Sequence, residues 1–203
     1  MFLFLDVISP IPEFFIIEDN KVIYQRKIIT NVSDKLSDNI FENYTEINNN
    51  FNLTDNLKKI AITIGPGSYT SLRVGAAFIS GLQISKNLEF YPLSITDIYK
   101  FKLKTYKEED LGFFICSSKN QNFFCTMSNQ QNIEYTKIED DTYLVADNIT
   151  KIFYNYRQFD TTKKVKQYKF SFIEEILMNY NTIEFLKNTI INPIYVSNNK
   201  ILN

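Results

Sequence analysis

Two spacings of apolar residues divide this chain into elements. Short runs suited to strands lie at Phe2–Asp6, at Glu13–Glu18 and over residues 21–29. Asp19-Asn20 separates the last two and suits a two-residue hairpin turn. Helical spacing follows, with Leu36, Ile40, Tyr44 and Ile47 at steps of four, four and three. That gives one apolar face to a helix capped by Ser33 and running to about residue 48. Residues 59–64 and 89–92 are two more strand-type runs, and residues 69–86 between them read as a helix. Ser94 with Asp97 three residues on predicts a capping box and a helix to about Leu103. Residues 102–110 are charged and lack apolar period, which puts a boundary between a lobe over 1–103 and another over 104–203. In the second half, Leu111–Cys116, Asn122–Ser128 and residues 133–138 predict strands, and residues 142–146 a further one. A helix over 172–180 and an extended close over 193–197 complete it, as in a degenerate copy of the first half. The predicted class is α/β, two lobes that each hold a mixed sheet with flanking helices.

The join between residues 64 and 69 is the tightest in the chain. Gly65-Pro66-Gly67 turns a strand into a helix within about three residues, and Ser68 stands where an N-cap is wanted. Two readings are open: a turn whose glycines allow close packing, or a cradle that offers backbone N–H groups to an anion. A P-loop would need a lysine that this turn lacks. The helix after it has small or apolar residues nearly all round, with Arg73 its one charge before Lys86. Such a helix is buried on more than one side, by its own chain or by a partner.

Composition narrows the chemistry. Of 203 residues, 44% are hydrophobic, enough for a sizeable core, and the formal net charge of −1 argues against a chain that grips nucleic acid alone. Histidine is absent, which removes Ser-His-Asp, Cys-His and histidine-metal mechanisms. Cys116 and Cys125 lie inside apolar runs and read as buried reduced thiols. No run reaches the roughly 20 apolar residues of a membrane span, and a cytoplasmic location is expected. Lys163, Lys164, Lys166 and Lys169, with Arg157 and Tyr168, form a basic cluster that is either a solvated face or a contact for RNA phosphates or an acidic partner.

Residues Gly65, Pro66, Gly67, Ser68, Tyr69, Thr70, Ser71, Leu72, Arg73, Val74 and Gly75 carry a resemblance to a known family. They are similar to the glycine-turn motif of the TsaB (YeaZ) family, the dimerisation subunit of the bacterial tRNA threonylcarbamoyladenosine synthase complex. A first strand ending in Asp6 and Pro92-Leu93-Ser94 ahead of a helix fit the same pattern. Ser117 to Phe124, and Ser197 after Pro193-Ile194-Tyr195-Val196, depart from it. The resemblance implies the actin-like ATPase (ASKHA, ribonuclease H-like) fold and a non-catalytic scaffold. Such a subunit pairs with its larger paralogue TsaD, or with itself, through first-lobe helices. The small ATPase TsaE joins them, ATP and metal reside on those partners, and tRNA is reached only through the complex. Partner contacts are then expected at Leu36, Ile40, Tyr44, Ser71, Gly75, Phe78 and Leu82. Asp6, followed by Pro10 and Pro12 rather than glycines, is expected to be a relic of a nucleotide site or a capping residue, with no catalytic or metal-binding residue in the chain. The alternative is an actin-like ATPase or small-molecule kinase acting alone through Asp6.

Overall fold

The computed structural model describes residues 1–31, 33–107, 110–117, 121–128, 132–138, 142–161, 164–187, 190–197 and 200–202. Strands β1 (Phe2–Asp6), β2 (Glu13–Glu18), β3 (Lys21–Lys27), β4 (Lys59–Thr63) and β5 (Glu89–Leu93) form the first sheet, in the order β3-β2-β1-β4-β5. Hairpins make β1, β2 and β3 antiparallel neighbours, while β4 and β5 run parallel to β1. The central strand β1 is buried at all five residues, as a strand covered on both faces requires. Asp19 and Asn20 take φ of 50° and 59°, the left-handed values that a tight primed hairpin turn demands.

Helix α1 (Leu36–Phe51) buries Leu36, Ile40, Tyr44 and Ile47, the face predicted from spacing. Its start differs from expectation: Lys35, not Ser33, is the N-cap, without a side-chain cap bond. The upstream loop explains the shift, because the Asp34 carboxylate accepts from Thr30 N and Asn31 N and holds residues 30–34 in a turn of their own. The short α2 (Leu53–Asn56) follows. Helix α3 (Tyr69–Ser85) links β4 to β5, and α4 (Ile95–Leu103) opens with the expected capping box between Ser94 and Asp97.

The second sheet joins β6 (Leu111–Cys116), β7 (Asn122–Ser128), β8 (Asn132–Ile138), β10 (Lys151–Tyr154) and β12 (Lys166–Lys169), in the order β12-β10-β6-β7-β8. β6, β7 and β8 form an antiparallel meander, and β10 and β12 run parallel to β6. Its strand order and directions repeat those of the first sheet. The two-residue β9 (Thr142–Tyr143) and β11 (Asp160–Thr161) pair with each other, so the expected strand over 142–146 is only two residues long. Helix α5 (Phe172–Asn179) ends the lobe, and β13 (Tyr195–Ser197) pairs with β14 (Lys200–Leu202).

Two helices hold the sheets together. α5 lies against β1 and α4, and Tyr99 of α4 meets Phe113 of β6 with ring centroids 5.7 Å apart. One continuous core therefore runs from Leu3 and Phe90 to Phe113, Phe153 and Ile176. Lys102 of α4 forms an ion pair with Glu175 of α5, whose carboxyl burial pushes above its ordinary value. Among the described residues no helix is long and apolar enough to cross a membrane.

Candidate partner-binding face and the glycine turn

The turn from β4 to α3 is closed by the chain itself. Gly65 has φ +124°, and a Cβ there would lie 2.5 Å from the Ile194 carbonyl oxygen. Only glycine fits both conditions. Ile194 N donates to Ile64 O at 2.7 Å, so the C-terminal segment is stitched to the turn. Tyr195 then meets Tyr69 at 4.5 Å between ring centroids, with the Arg73 guanidinium 4.2 Å from the centre of the Tyr69 ring. Ser68 occupies the N-cap position but makes no capping bond.

Asp6 ends β1 beside this turn. Its Oδ1 accepts from Ile8 N at 2.9 Å, Ser9 N at 3.2 Å and Thr63 Oγ1 at 3.1 Å, and Thr63 Oγ1 accepts from Val7 N at 2.9 Å. Burial pushes the carboxyl above its ordinary value, opposed by the bonds from Ser9, Ile8 and Thr63. The residues here do not fit a nucleotide and its metal. The N–H groups of Ile8 and Ser9 point at Asp6, Pro10 and Pro12 have none to offer, and Ile194 sits on the glycine turn. Among the described residues no cluster of three histidine, cysteine or acidic side chains could hold a metal ion.

Helix α3 has two unlike faces. Ser71, Leu72, Gly75 and Ile79 are buried. A Cβ on Gly75 would fall 2.8 Å from Val7 Cγ1 and 2.9 Å from Ile62 Cδ1, so this glycine seats the helix against β4 and the end of β1. The opposite stripe is exposed at Thr70, Arg73, Ala77, Gly81 and Ile84, and around Gly81 there is open space. Ile84 is 89% exposed. Alongside, Tyr44 of α1 meets Phe78 of α3 edge to face at 5.2 Å, and both rings meet Phe14 of β2. One helical turn from Tyr44, Phe41 stands 71% exposed.

Most of the expected partner residues therefore point inward. Leu36, Ile40, Tyr44, Ser71 and Gly75 are buried within the chain, and Phe78 and Leu82 are partly buried against its core. The physical reason is that α1 and α3 spend their bulkier apolar residues on the sheet and on each other, leaving small ones outside. Gly75 stands three and four residues from Leu72 and Ile79, and Gly81 four and three from Ala77 and Ile84. That spacing is the signal that distinguishes the inward glycine from the outward one.

Elsewhere, Cys116 and Cys125 are free and buried, and burial raises both thiols. Of the basic cluster, Lys166, Tyr168 and Lys169 belong to the edge strand β12, while Lys163 lies outside the described residues, as do Ser118, Lys119 and Asn120.

A family model described as TsaD, tRNA N6-adenosine threonylcarbamoyltransferase, matches residues 25–195. The chain belongs to this family. Membership ties it to the tRNA threonylcarbamoylation system. Among solved structures it is similar to YeaZ from Pseudomonas aeruginosa, at 12% identity and TM-score 0.59, over 96% of this chain and 99% of that one. It is also similar to an uncharacterized protein described as resembling peptidase YEAZ from Pseudomonas aeruginosa, at 12% identity and TM-score 0.55, over 97% and 99%. At such identity the likeness establishes the fold, which is of the actin-like ATPase type with two mixed sheets. Among curated proteins none matches. This member of the TsaD family is TsaB/YeaZ-like along nearly its whole length.

Proposed function

We propose that the chain is a non-catalytic subunit of the tRNA threonylcarbamoylation machinery. It docks the catalytic TsaD paralogue through the outer faces of α3 and α1. The observation that carries this reading is the exposed stripe of α3, where Arg73 is the single charge among Thr70, Ala77, Gly81 and Ile84. A helix face with so little charge and so little bulk lets another backbone approach closely, and leaving it in water has no structural rationale within the chain. The closed turn at Asp6 and Gly65 supports the non-catalytic part, since the N–H groups that would meet phosphate are engaged internally. ATP, metal and the TsaE ATPase then belong with the partner subunits, and tRNA is met through the assembly.

The test is size-exclusion chromatography of the purified chain with the purified TsaD paralogue, paired with calorimetry of the chain alone against ATP and magnesium. Co-elution and no heat of nucleotide binding are expected. A chain that binds ATP by itself and never co-elutes would overturn the reading in favour of an independent actin-like ATPase.

A further inference from the structure

Helix α3 by itself is too small a platform. A stable interface takes roughly 800 Å² from each partner, spread over about 20–30 residues. The exposed stripe supplies five positions, three of them threonine, alanine and glycine. The contact surface must therefore extend sideways, on one flank to α1 and Phe41 and on the other to whatever lies beside the C-terminal half of α3.

That second neighbour comes from the far end of the chain. After α5 the backbone returns to the first sheet, where Leu186 exchanges two hydrogen bonds with Phe90 of β5, and it reaches the glycine turn at Ile194. Between these two attachments Ile190 and Ile191 lie next to the end of α3. With Ser80, Gln83, Ile84, Lys86, Asn87 and Leu88 they line a cavity of about 320 Å³. Ile84 and Ile190 stand at its rim, 89% and 79% exposed. Gln83 Nε2 is enclosed there and has no hydrogen-bond partner among the described residues. An enclosed amide donor without an acceptor costs free energy until something supplies one. Apolar rims around a partly enclosed polar group are the anatomy of an anchoring pocket.

We infer that this cavity, framed by Ile84 and Ile190 and completed by the C-terminal strap, is the anchor pocket of the α3 docking face. It takes an apolar side chain of the TsaD paralogue that carries a hydrogen-bond acceptor for Gln83 Nε2 beside it. The inference rests on the pairing proposed above and makes the interface composite, with sequence-distant segments both needed. Gln83→Glu replaces a donor by an acceptor at nearly constant shape, and Ile190→Glu charges the rim from the strap side without touching α3.

The experiment is a calorimetric titration of the purified TsaD paralogue into the wild-type chain and into Ala77→Arg, Ile190→Glu and Gln83→Glu variants, each with its melting curve. Loss of pairing in Ala77→Arg, with at least tenfold weaker binding in Ile190→Glu and Gln83→Glu at unchanged melting temperature, is expected. Wild-type affinity in both pocket variants, while Ala77→Arg fails to bind, would overturn the pocket and leave the pairing intact. Undiminished binding by Ala77→Arg, or none by the wild type, would remove the pairing itself and the pocket with it.

Discussion

The two lobes share one strand plan but cover it differently. In the first lobe, the links from β3 to β4 and from β4 to β5 carry the helices α1 and α3, which pack on one another. In the second, the corresponding links, residues 139–150 and 155–165, hold no helix among the described residues. Val145, Ile149, Phe159 and Val165 from those links cover Phe114, Phe124 and Ile152 instead, as a small separate cluster. Phe159 stacks on Phe114 at 4.5 Å. Side-chain amides replace some of the missing regular hydrogen bonding. Asn155 bonds both Cys116 N and Cys116 O, and Gln167 bonds both Phe159 N and Phe159 O. A sheet face can thus be sealed by a few aromatic and aliphatic residues on loops. Full helices where loops would suffice suggest a second task for α1 and α3, and the exposed stripe shows where it would be done.

The largest expected effect tests whether the loop cover is a separate unit. Phe159→Ala removes its central ring and should cost about 3–5 kcal/mol in urea unfolding, with amide exchange quickening in β6, β7 and β10 well before β1 and β4. A loss under about 1 kcal/mol, or equal quickening in both sheets, would erase the distinction between the lobes. Next come the two glycines of α3. Gly75→Ala places a methyl within 3 Å of Val7 and Ile62, and overpacking should outweigh the gain in helix propensity, for a net loss of about 1–2 kcal/mol. Gly81→Ala meets nothing and should raise stability by about 0.8–1 kcal/mol. Equal shifts for both in thermal melts would contradict the assignment of inward and outward faces.

The smallest effect is a slope. Asp6 with Thr63 and Asn155 with Cys116 tie equivalent strand ends in the two lobes, yet only the first tie titrates. Because burial raises the Asp6 carboxyl, the folded chain holds its proton more tightly than the unfolded chain. Its contribution to stability is full below pH 3.8, the ordinary aspartate value, and is lost as pH rises through the folded value. Stability of the wild type relative to Asp6→Asn should therefore fall as pH increases across that window. Parallel curves would show that Asp6 is not ionising against its burial.

Much of the first lobe was legible before the structure. Alternation, the Asp19-Asn20 turn, the Ser94–Asp97 box and the 36-40-44-47 spacing each have a local cause, and each is found in place. The start of α1 was missed because Asp34 bonds backward into its own loop, a choice that Ser33 and Asp34 make equally plausible from sequence. β10 and β12 were missed because four-residue strands give too few positions for a period, and Lys166 and Lys169 read as a charged run rather than an exposed edge. The motif at the glycine turn pointed to the right family, yet its residues are mostly buried structure. What determines the outer face is the complement of that motif, residues 70, 73, 77, 81 and 84. The anchor cavity depends on Ile190, more than a hundred residues from α3 in sequence, and no local pattern could bring the two together.

The return of the C-terminal segment onto the first sheet has a consequence for synthesis. Leu186 is needed at the open edge of β5 and Ile194 at the bend after β4, so the amino-terminal lobe cannot be finished while the last residues remain in the ribosomal tunnel. Birth order and assembly order are thereby uncoupled: the portion made first is completed last. Any truncated product would emerge with the seat for its companion half built.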